Sequence, residues 1–544
     1  MAEQRSPVAP PGIGSSRRRW GILAICCSSL FIVGIDSTVV NIALPSIGRQ
    51  FHTEVSGLQW TVDAYTLVLA SLLMLAGSTA DRVGRRRTFQ VGLILFSAGS
   101  LLCSLATSVG LLIAFRAVQA LGGTMLNPVA MSIITNTFTD RKERAQAIGI
   151  WGGTVGLSMA LGPIAGGILV SSIGWRSIFW INVPIGVAAC ILTARYVPES
   201  RAPRPRPFDA VGQILLIVIL GTSTFGIIEG ARRGWTSGLI LAVFGACAVS
   251  LVAFLIYESR HKAPLLELRF FRSIPFSGAT VIAVASFAAF GGFLFLNTLY
   301  LQQTRGLSAL QAGLDTVPMA AMTVVLAPIS GAIVGRRGAR PSLLVAGVFL
   351  TISGLMLTRI GADTSFTWLF TSYVLFGIGF GVVNPPITNA AVSGMPNAQA
   401  GVAAAVASTS RQVGLTLGVA VMGALVTAGL HGTIAAGLPA AARAGWWFVV
   451  GCGVLVLLLG ILTTTRRALA SAQRAADSFD EDVPAAGPGE AARGGGPGRA
   501  GSLVAGDLRA GDAIDERERA GDGGQGHDQP GRDDRVVADV RRLK

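Results

Sequence analysis

One polar stretch in an otherwise apolar region organises this chain: Gly77-Ser-Thr-Ala-Asp81-Arg82-Val-Gly84-Arg85-Arg86-Arg87. Glycines at its start and centre permit a tight turn and the close approach of a neighbouring backbone. Asp81 can engage a helix N-terminus or an arginine, which predicts a contact that forms and breaks as larger parts move. A loop that only collects positive charge is the simpler interpretation, but the spacing of the glycines and the acid is more specific. The stretch therefore predicts a gating loop between two helices.

The stretch separates two long apolar runs, and such runs continue through most of the 544 residues. Hydrophobic residues make up 51% of the chain and charged residues only 13%, whereas soluble domains average about 25% charged residues. Each run is close to the ~20 residues that cross a bilayer as a helix. The sequence therefore predicts an all-α integral membrane protein. We place fourteen spans at about 20–44, 58–77, 88–107, 110–134, 147–170, 178–196, 211–229, 238–257, 278–300, 312–334, 342–360, 367–391, 401–427 and 445–465.

Arginines concentrate in alternate connections between these runs, as the positive-inside rule requires of cytoplasmic loops. Residues 1–19 end in three arginines, so we expect a cytoplasmic N-terminus and, after fourteen spans, a cytoplasmic C-terminus. The segment 466–544 has few apolar residues and is predicted to be a disordered tail. The net charge of +15 arises from scattered loop arginines without a basic stripe, so nucleic-acid binding is not expected.

The sequence contains an internal repeat, because two segments of the same spacing lie in different parts of the chain. They are Arg116-Ala-Val-Gln119-Ala-Leu-Gly122-Gly123-Thr-Met-Leu-Asn127-Pro128 and Tyr373-Val-Leu-Phe-Gly377-Ile-Gly379-Phe-Gly381-Val-Val-Asn384-Pro385. The repeat predicts two six-helix halves, 20–196 and 278–465, with the pair of helices in 211–257 inserted between them. Repeated halves around a shared site are the architecture of secondary transporters.

The fifth span is rich in small residues. Gly156, Gly162, Gly166 and Gly167 let another helix pack against its backbone, and Pro163 predicts a kink. Tight packing without movement is the simpler interpretation, but the Gly-Pro-x-x-Gly-Gly sequence makes a hinge plausible. This span is therefore a candidate moving part.

Three charged residues lie at membrane depth, where each costs about 2.5–3.5 kcal/mol unless it is paired or hydrated. At about 1.5 Å per helical residue, Asp36, Asp63 and Arg116 all fall in the outer third of the membrane. We therefore predict one titratable cluster that couples proton movement to substrate binding, with Asp36 its main acid. A static structural ion pair between Asp36 and Arg116 is the alternative.

Arg411 lies deep in the predicted span 401–427. It either binds an anionic group or satisfies backbone carbonyl groups.

Taken together, six segments between residues 20 and 465 resemble signatures of the major facilitator superfamily, and fourteen spans resemble its 14-helix class of bacterial drug–proton antiporters. The segments are Gly77–Arg87, Asp36-Ser-Thr38-Val-Val-Asn41-Ile-Ala-Leu-Pro45, Gln59-Trp60-Thr-Val-Asp63-Ala-Tyr65, Arg116 with Gln119–Gly123, Gly156–Gly167 and Trp175–Gly186. In the fourth segment, the family's arginine is linked to proton transfer.

The resemblance implies a monomeric transporter in the bacterial plasma membrane that exchanges protons for lipophilic drugs or antibiotics, cationic ones among them. The proton gradient is then the energy source, and no cofactor, metal or catalytic residue is expected. The implied coupling residues are Asp36, Asp63, Arg116, Gln119 and Arg411. The implied gating residues are Gly77, Asp81, Arg82, Gly84, Arg85, Gly156, Gly162, Pro163, Gly166 and Gly167.

Other functions remain as alternatives. Export of an endogenous metabolite, amino acid or lipid fits the same residues. A membrane-embedded enzyme would need clusters of His, Cys or Asp, whereas the four histidines are isolated in the sequence. A channel does not need repeated gating motifs, so the repeat favours moving halves over a channel. ATP-driven transport would need a G-x-x-x-x-G-K-[ST] loop, which is missing from the sequence.

Overall fold

The structure, a computed structural model, describes residues 16–202, 208–261, 264–392, 400–431 and 434–480. These ranges are largely helical and contain no β-strand. The first helices are α1 (Ser16–Phe51), α2 (Val55–Val83), α3 (Arg85–Ser104), α4 (Val109–Thr137), α5 (Arg141–Ser172), α6 (Ser177–Trp180), α7 (Asn182–Tyr196), α8 (Ala210–Arg233) and α9 (Gly238–Arg260). The remaining helices are α10 (Ile274–Leu299), α11 (Ala309–Asp315), α12 (Val317–Arg337), α13 (Arg340–Leu357), α14 (Phe366–Val392), α15 (Ala400–Gly429), α16 (Ile434–Leu462) and α17 (Arg466–Asp480).

The described residues contain the fourteen predicted spans. Thirteen helical segments are long and apolar enough to cross a membrane, and α5 is the fourteenth when its two bent parts count as one span. The parts, Lys142–Met159 and Leu161–Ser172, meet at 41°. Pro163 explains the bend, because proline has no N–H to bond the carbonyl of Met159 and its ring displaces that carbonyl.

The internal repeat is also a repeat of helix packing. In the first half α1 packs on α5, α2 on α4, and α3 on both α4 and α7. The second half repeats these pairs as α10 on α15, α12 on α14, and α13 on both α14 and α16. Gly122 and Gly379 occupy matching places in the repeat. Each lies so close to the backbone of the neighbouring helix, at Phe96 and at Leu350, that a Cβ would overlap it.

The inserted helices join the bundle through α8, which packs on α2 and α15. The Gln213 side chain donates a hydrogen bond from Nε2 to the Ser71 carbonyl at 2.6 Å. Trp60 Nε1 donates to Glu229 Oε1 at 3.4 Å. These bonds attach α8 to the side of α2, at the seam between the two halves.

The two halves meet at the end of the bundle that lies away from the Gly77–Arg87 loop. We call the end with that loop the basic end, and the other the opposite end. Gln302 Nε2 donates to the Ile42 carbonyl at 2.8 Å, and Gln59 Nε2 donates to the Ala420 carbonyl at 2.9 Å. A Cβ on Gly167 would lie 2.8 Å from the Ala309 carbonyl oxygen. The halves are therefore closed against each other at the opposite end.

Towards the basic end, α5 and α12 diverge. A Cβ on Gly149, Gly152 or Gly156 of α5 would meet no described atom of another segment within 4 Å, and the same is true of Gly331 and Gly335 on α12. On the other side of the bundle α2 and α15 stay together, where Met74 packs against the cluster that includes Ala403 and Val406. The space between the halves therefore opens towards the basic end on the α5–α12 side.

The predicted start of the disordered tail at residue 466 is too early, because α17 occupies Arg466–Asp480. Its small residues recur at helical spacing and form a face that packs on the start of α10: Ala468, Ser471 and Ala475 are buried. Ser471 Oγ accepts a hydrogen bond from the Ile274 N–H at 2.9 Å. The low content of apolar residues predicted disorder here, but the contact between α17 and α10 needs only small side chains. Residues 1–15 and 481–544 lie outside the described residues.

Candidate functional site

Asp36 is the centre of a buried polar network within the first half. Its side chain is 0% exposed and that of Arg116 is 1% exposed. Arg116 Nη1 lies 2.5 Å from Asp36 Oδ2. The other carboxylate oxygen accepts from Gln119 Nε2 at 2.8 Å and from Asn182 Nδ2 at 2.9 Å. Three donors from α4 and α7 therefore surround a carboxylate on α1.

The Arg116 side chain is held on several sides. Its Nε donates to the Thr61 carbonyl at 3.3 Å, and its Nη1 donates to Gln119 Oε1 at 2.8 Å. The guanidinium carbon lies 4.1 Å from the centre of the Tyr65 ring, which favours a cation–π contact. A buried ion pair repays its desolvation only when such additional bonds are present. Protein groups thus supply partners for both charges.

Ser100 on α3 connects the two amides of the network. Its Oγ accepts from Gln119 Nε2 and from Asn182 Nδ2, each at 3.0 Å, and donates to the Phe179 carbonyl at 3.2 Å. The helices approach closely here, because a Cβ on Gly99 would lie 2.5 Å from the Gln119 Cα. Sequence reasoning did not assign Ser100, Asn182 or Tyr65 to the site. An amide side chain within an apolar run was the feature of the sequence that could have assigned Asn182 to the site.

Asp63 is buried but has different partners. Its Oδ1 accepts from Thr66 Oγ1 at 3.4 Å, and its Oδ2 has no hydrogen-bond partner among the described residues. The Thr66 hydroxyl accepts a bond from Thr416 Oγ1 of α15 at 2.9 Å. The structure therefore places Asp36 and Asp63 in separate hydrogen-bond networks, where the sequence predicted one cluster. Asp63 is linked through Thr66 to the second half.

A narrow cavity lies between the halves beside both acids. Residues next to Asp36 or one turn from Asp63 line it, as do side chains from α10 and α15. The lining consists of Ser37, Thr38, Asn41, Val62, Thr66, Met159, Phe290, Gly291, Leu294, Leu415 and Val419. The wall is mostly apolar with a few hydroxyl and amide groups.

The Gly77–Arg87 loop bonds to its own residues and to the segment that follows α7. Asp81 Oδ1 accepts from Arg85 Nη2 at 3.0 Å, so the acid engages an arginine, as one of the two predicted options requires. Gly84 has φ of 123°, which only glycine adopts without strain. Glu199, which sequence reasoning missed, accepts from the Arg86 N–H at 3.1 Å. Arg82 is exposed at the end of α2, and Gly77 lies in ordinary contact distance of Pro128.

The glycines of α5 divide into two groups along the helix. Gly162 and Gly166 face α1 at Thr38 and Val39, with no room for a Cβ, and Gly167 faces α11 across the seam. Gly156 continues the Gly167 face towards the basic end and meets no described neighbour there. The bend at Pro163 lies between the packed and the open part of α5.

Arg411 lies on α15 in the second half, away from Asp36. Its Nη2 donates to Ser408 Oγ at 2.9 Å, and its Nη1 makes longer contacts of 3.4 Å to Asn384 Oδ1 and 3.5 Å to Thr388 Oγ1. These partners are neutral side-chain oxygens rather than the backbone carbonyls that the sequence left as one option. Among the described residues, no cluster of three or more His, Cys, Asp or Glu side chains that could hold a metal is found.

Comparisons with known proteins relate the chain to transporters. The family model described as Major Facilitator Superfamily matches residues 26–419. The chain is 36% identical over 405 residues to "Multidrug resistance protein Stp" of Mycobacterium tuberculosis (strain CDC 1551 / Oshkosh), covering 74% of this chain and 75% of that protein. It is 37% identical over 418 residues to "Tetracenomycin C resistance and export protein" of Streptomyces glaucescens, covering 76% and 77%.

A third similar protein is "Multidrug efflux pump LfrA" of Mycolicibacterium smegmatis, with 35% identity over 417 residues, 76% of this chain and 81% of that protein. Among solved structures, the crystal structure of peptide transporter POT in complex with sulfate aligns with a TM-score of 0.61. The alignment covers 86% of this chain and 97% of that chain at 16% identity. That similarity concerns the fold alone.

Proposed function

Because this chain belongs to the major facilitator superfamily, we propose that it is a proton-coupled antiporter that exports drugs or antibiotics from a bacterial cell. The observation that carries the proposal is the fully buried Asp36–Arg116 pair beside the cavity between the halves. A carboxylate at membrane depth marks a proton or substrate pathway more often than a structural element. Similar proteins named for multidrug resistance and for antibiotic export support this substrate class.

The proposed orientation places the basic end, with both termini, in the cytoplasm of a cell whose plasma membrane the protein spans. The halves touch at the opposite end and diverge at the basic end. In this orientation the structure is open to the cytoplasm and closed to the outside. It is the conformation in which a transporter loads a compound for export.

Proton coupling follows from the chemistry of the Asp36 network. Arg116, Gln119 and Asn182 all donate to the carboxylate, so they stabilise its ionised form. A proton that reaches Asp36 from outside removes the charge and weakens these charge-assisted bonds. The freed Arg116 side chain then changes partners, and the polarity of the cavity wall changes with it.

Asp63 provides a second proton site in this mechanism. It makes no ion pair among the described residues, and its hydroxyl partner Thr66 both lines the cavity and contacts Thr416 of the other half. A change of charge at Asp63 therefore acts directly on a contact between the halves.

Alternating access then moves the halves about the cavity. The contacts at the opposite end break while α5 and α12 approach at the basic end. The bend at Pro163 provides the flexible point of α5. The open glycine face of α5 provides the surface on which α12 can pack closely. The Gly77–Arg87 loop exchanges the Asp81–Arg85 pair for contacts in the second half. The proton gradient drives this cycle, and we propose a monomer without a cofactor.

Inverted vesicles that contain the protein test the proposal. An imposed proton gradient drives uptake of a fluorescent drug such as ethidium in wild type, and Asp36→Asn reduces the rate at least tenfold. Asp363→Asn, an exposed acid in a loop at the opposite end, is the matched control and keeps the wild-type rate. Wild-type uptake that persists after the proton gradient is collapsed would exclude proton coupling. Uptake of endogenous metabolites but no drug would favour the metabolite-export alternative.

A further inference from the structure

We propose that Arg411 and the phenylalanines beside it form a subsite for an aromatic anion, so that the exported compounds include aromatic carboxylates. The inference rests on the proposed export function and specifies the substrate class. It concerns the wall of the cavity that belongs to the second half, whereas the proton network belongs to the first.

Arg411 is a membrane-depth cation with weak, neutral partners. Its one short hydrogen bond goes to Ser408, and the bonds to Asn384 and Thr388 are at the limit of hydrogen-bond distance. A guanidinium has five N–H donors in a planar fork, so most of its bonding capacity is unused. Arg116, by comparison, has a carboxylate at 2.5 Å.

The second half cannot supply the missing negative charge. Between residues 273 and 465 the sequence contains only two acids, Asp315 and Asp363. Asp315 ends α11 and Asp363 lies between α13 and α14, so both belong to the opposite end. No ion pair to Arg411 exists within the described part of the chain. Arg411 therefore has no acid beside it in the second half, and an anion that enters the cavity can pair with it.

Arg411 is placed where such an anion would arrive. It lies one helical turn from Leu415 on the basic-end side, and Leu415 lines the cavity between the halves. Residues four apart share a helix face, so Arg411 continues the cavity wall into the open space. Its partial exposure is consistent with this position.

A cluster of phenylalanines lies one helical turn from a partner of the cation. Asn384, a partner of Arg411, lies one turn from Phe380 on α14. Phe380 stacks on Phe290 with ring centres 4.2 Å apart, and Phe287 meets Phe380 edge-on at 5.1 Å. Phe290 also lines the cavity. Phe287, Phe290 and Phe380 are themselves buried against one another. A ligand ring therefore packs beside Phe290 at the cavity wall while its carboxylate reaches Arg411.

The chemistry favours a carboxylate in this position. The planar guanidinium binds a carboxylate through two parallel hydrogen bonds, which an amide of the same shape cannot match. The charged contact also relieves the desolvation of Arg411. A neutral or cationic analogue obtains only the stacking contribution.

Equilibrium dialysis of the purified protein in detergent tests the subsite with two matched probes, 2-naphthoate and its neutral amide 2-naphthamide. We expect wild type to bind the carboxylate about tenfold more tightly than the amide. Arg411→Gln removes that difference, and Arg411→Lys keeps part of it because the charge stays while the fork is lost. Arg359→Gln, at an exposed position in the turn after α13, is the control and keeps the full preference.

Equal binding of the two probes by wild type would overturn the subsite, even if Arg411→Gln did not fold. A preference that survives Arg411→Gln in a protein with the wild-type elution profile would overturn it as well. Transport is measured separately in vesicles. Proton-driven ethidium uptake without carboxylate preference in dialysis would support the proposed function and overturn the subsite. Carboxylate preference without proton-driven uptake would support the subsite and overturn the proposed proton-coupled export.

Discussion

The Gln302 carboxamide donates a hydrogen bond to the main-chain carbonyl of Ile42 at 2.8 Å and so joins α1 of the first half to the π-helical turn Tyr300–Thr304 that follows α10 in the second. Gln302 is buried. The bond belongs to the conformation that is closed at the opposite end, because the two residues lie on different halves. It is therefore a contact that the transport cycle must break.

Gln302→Ala should shift the protein towards the conformation that is open at the opposite end. One lost hydrogen bond is worth about 0.5–1.5 kcal/mol, which changes the ratio of the two conformations about twofold to tenfold. Spin labels at Gly152 and Gly331, both in open space at the basic end, report the change as a shorter label-to-label distance. Asn136→Ala, whose exposed amide bonds only the Ser132 carbonyl of its own helix, is the control, and a distance distribution equal to wild type in Gln302→Ala would contradict the prediction.

Arg116→Gln should destabilise the protein by about 3–5 kcal/mol, because Asp36 is left buried without its cation. The double variant Asp36→Asn with Arg116→Gln should regain much of that stability, since neither charge remains. It should still lack proton-driven transport. Thermal unfolding followed by tryptophan fluorescence measures the stability of wild type, the two single variants and the double variant. Strictly additive losses of stability would show that the two side chains do not interact.

Asn182→Ala should cost about 1–3 kcal/mol, because Asp36 Oδ1 and Ser100 Oγ each lose a buried donor. Asn136→Ala is the matched control. Its amide is exposed and bonds only the Ser132 carbonyl of its own helix, so the expected change is within about 0.5 kcal/mol. The same unfolding assay compares both variants with wild type, and equal effects would remove Asn182 from the network.

Gly167→Ala should lower stability by about 1–3 kcal/mol, because the new Cβ would lie 2.8 Å from the Ala309 carbonyl oxygen. Gly156→Ala on the same face of α5 meets no described neighbour and should not lower the stability of this conformation. Thermal unfolding in detergent distinguishes the two. Equal melting temperatures for both variants would mean that α5 and α11 are not in contact at the opposite end.

The sequence was sufficient to predict properties that depend only on the order of residues along the chain. Hydropathy locates the fourteen spans, because each span needs its own ~20 apolar residues whatever it packs against. Repeated spacing related the two halves, and the cost of a charge at membrane depth identified Asp36 and Arg116 as partners. The bend of α5 was also predictable, since proline acts on its own helix.

Only the tertiary structure decided what depends on the rotation and the neighbours of each helix. Depth gives one coordinate of three, so the sequence grouped Asp63 with Asp36, whereas the structure gives Asp63 separate hydrogen-bond partners, and Asn182 and Ser100 were overlooked. Which end of the bundle is closed depends on contacts between residues more than 200 positions apart, such as Ile42 and Gln302. The α17 helix needed the surface of α10 to pack against. Composition records which residues a chain has, whereas packing decides which of them meet.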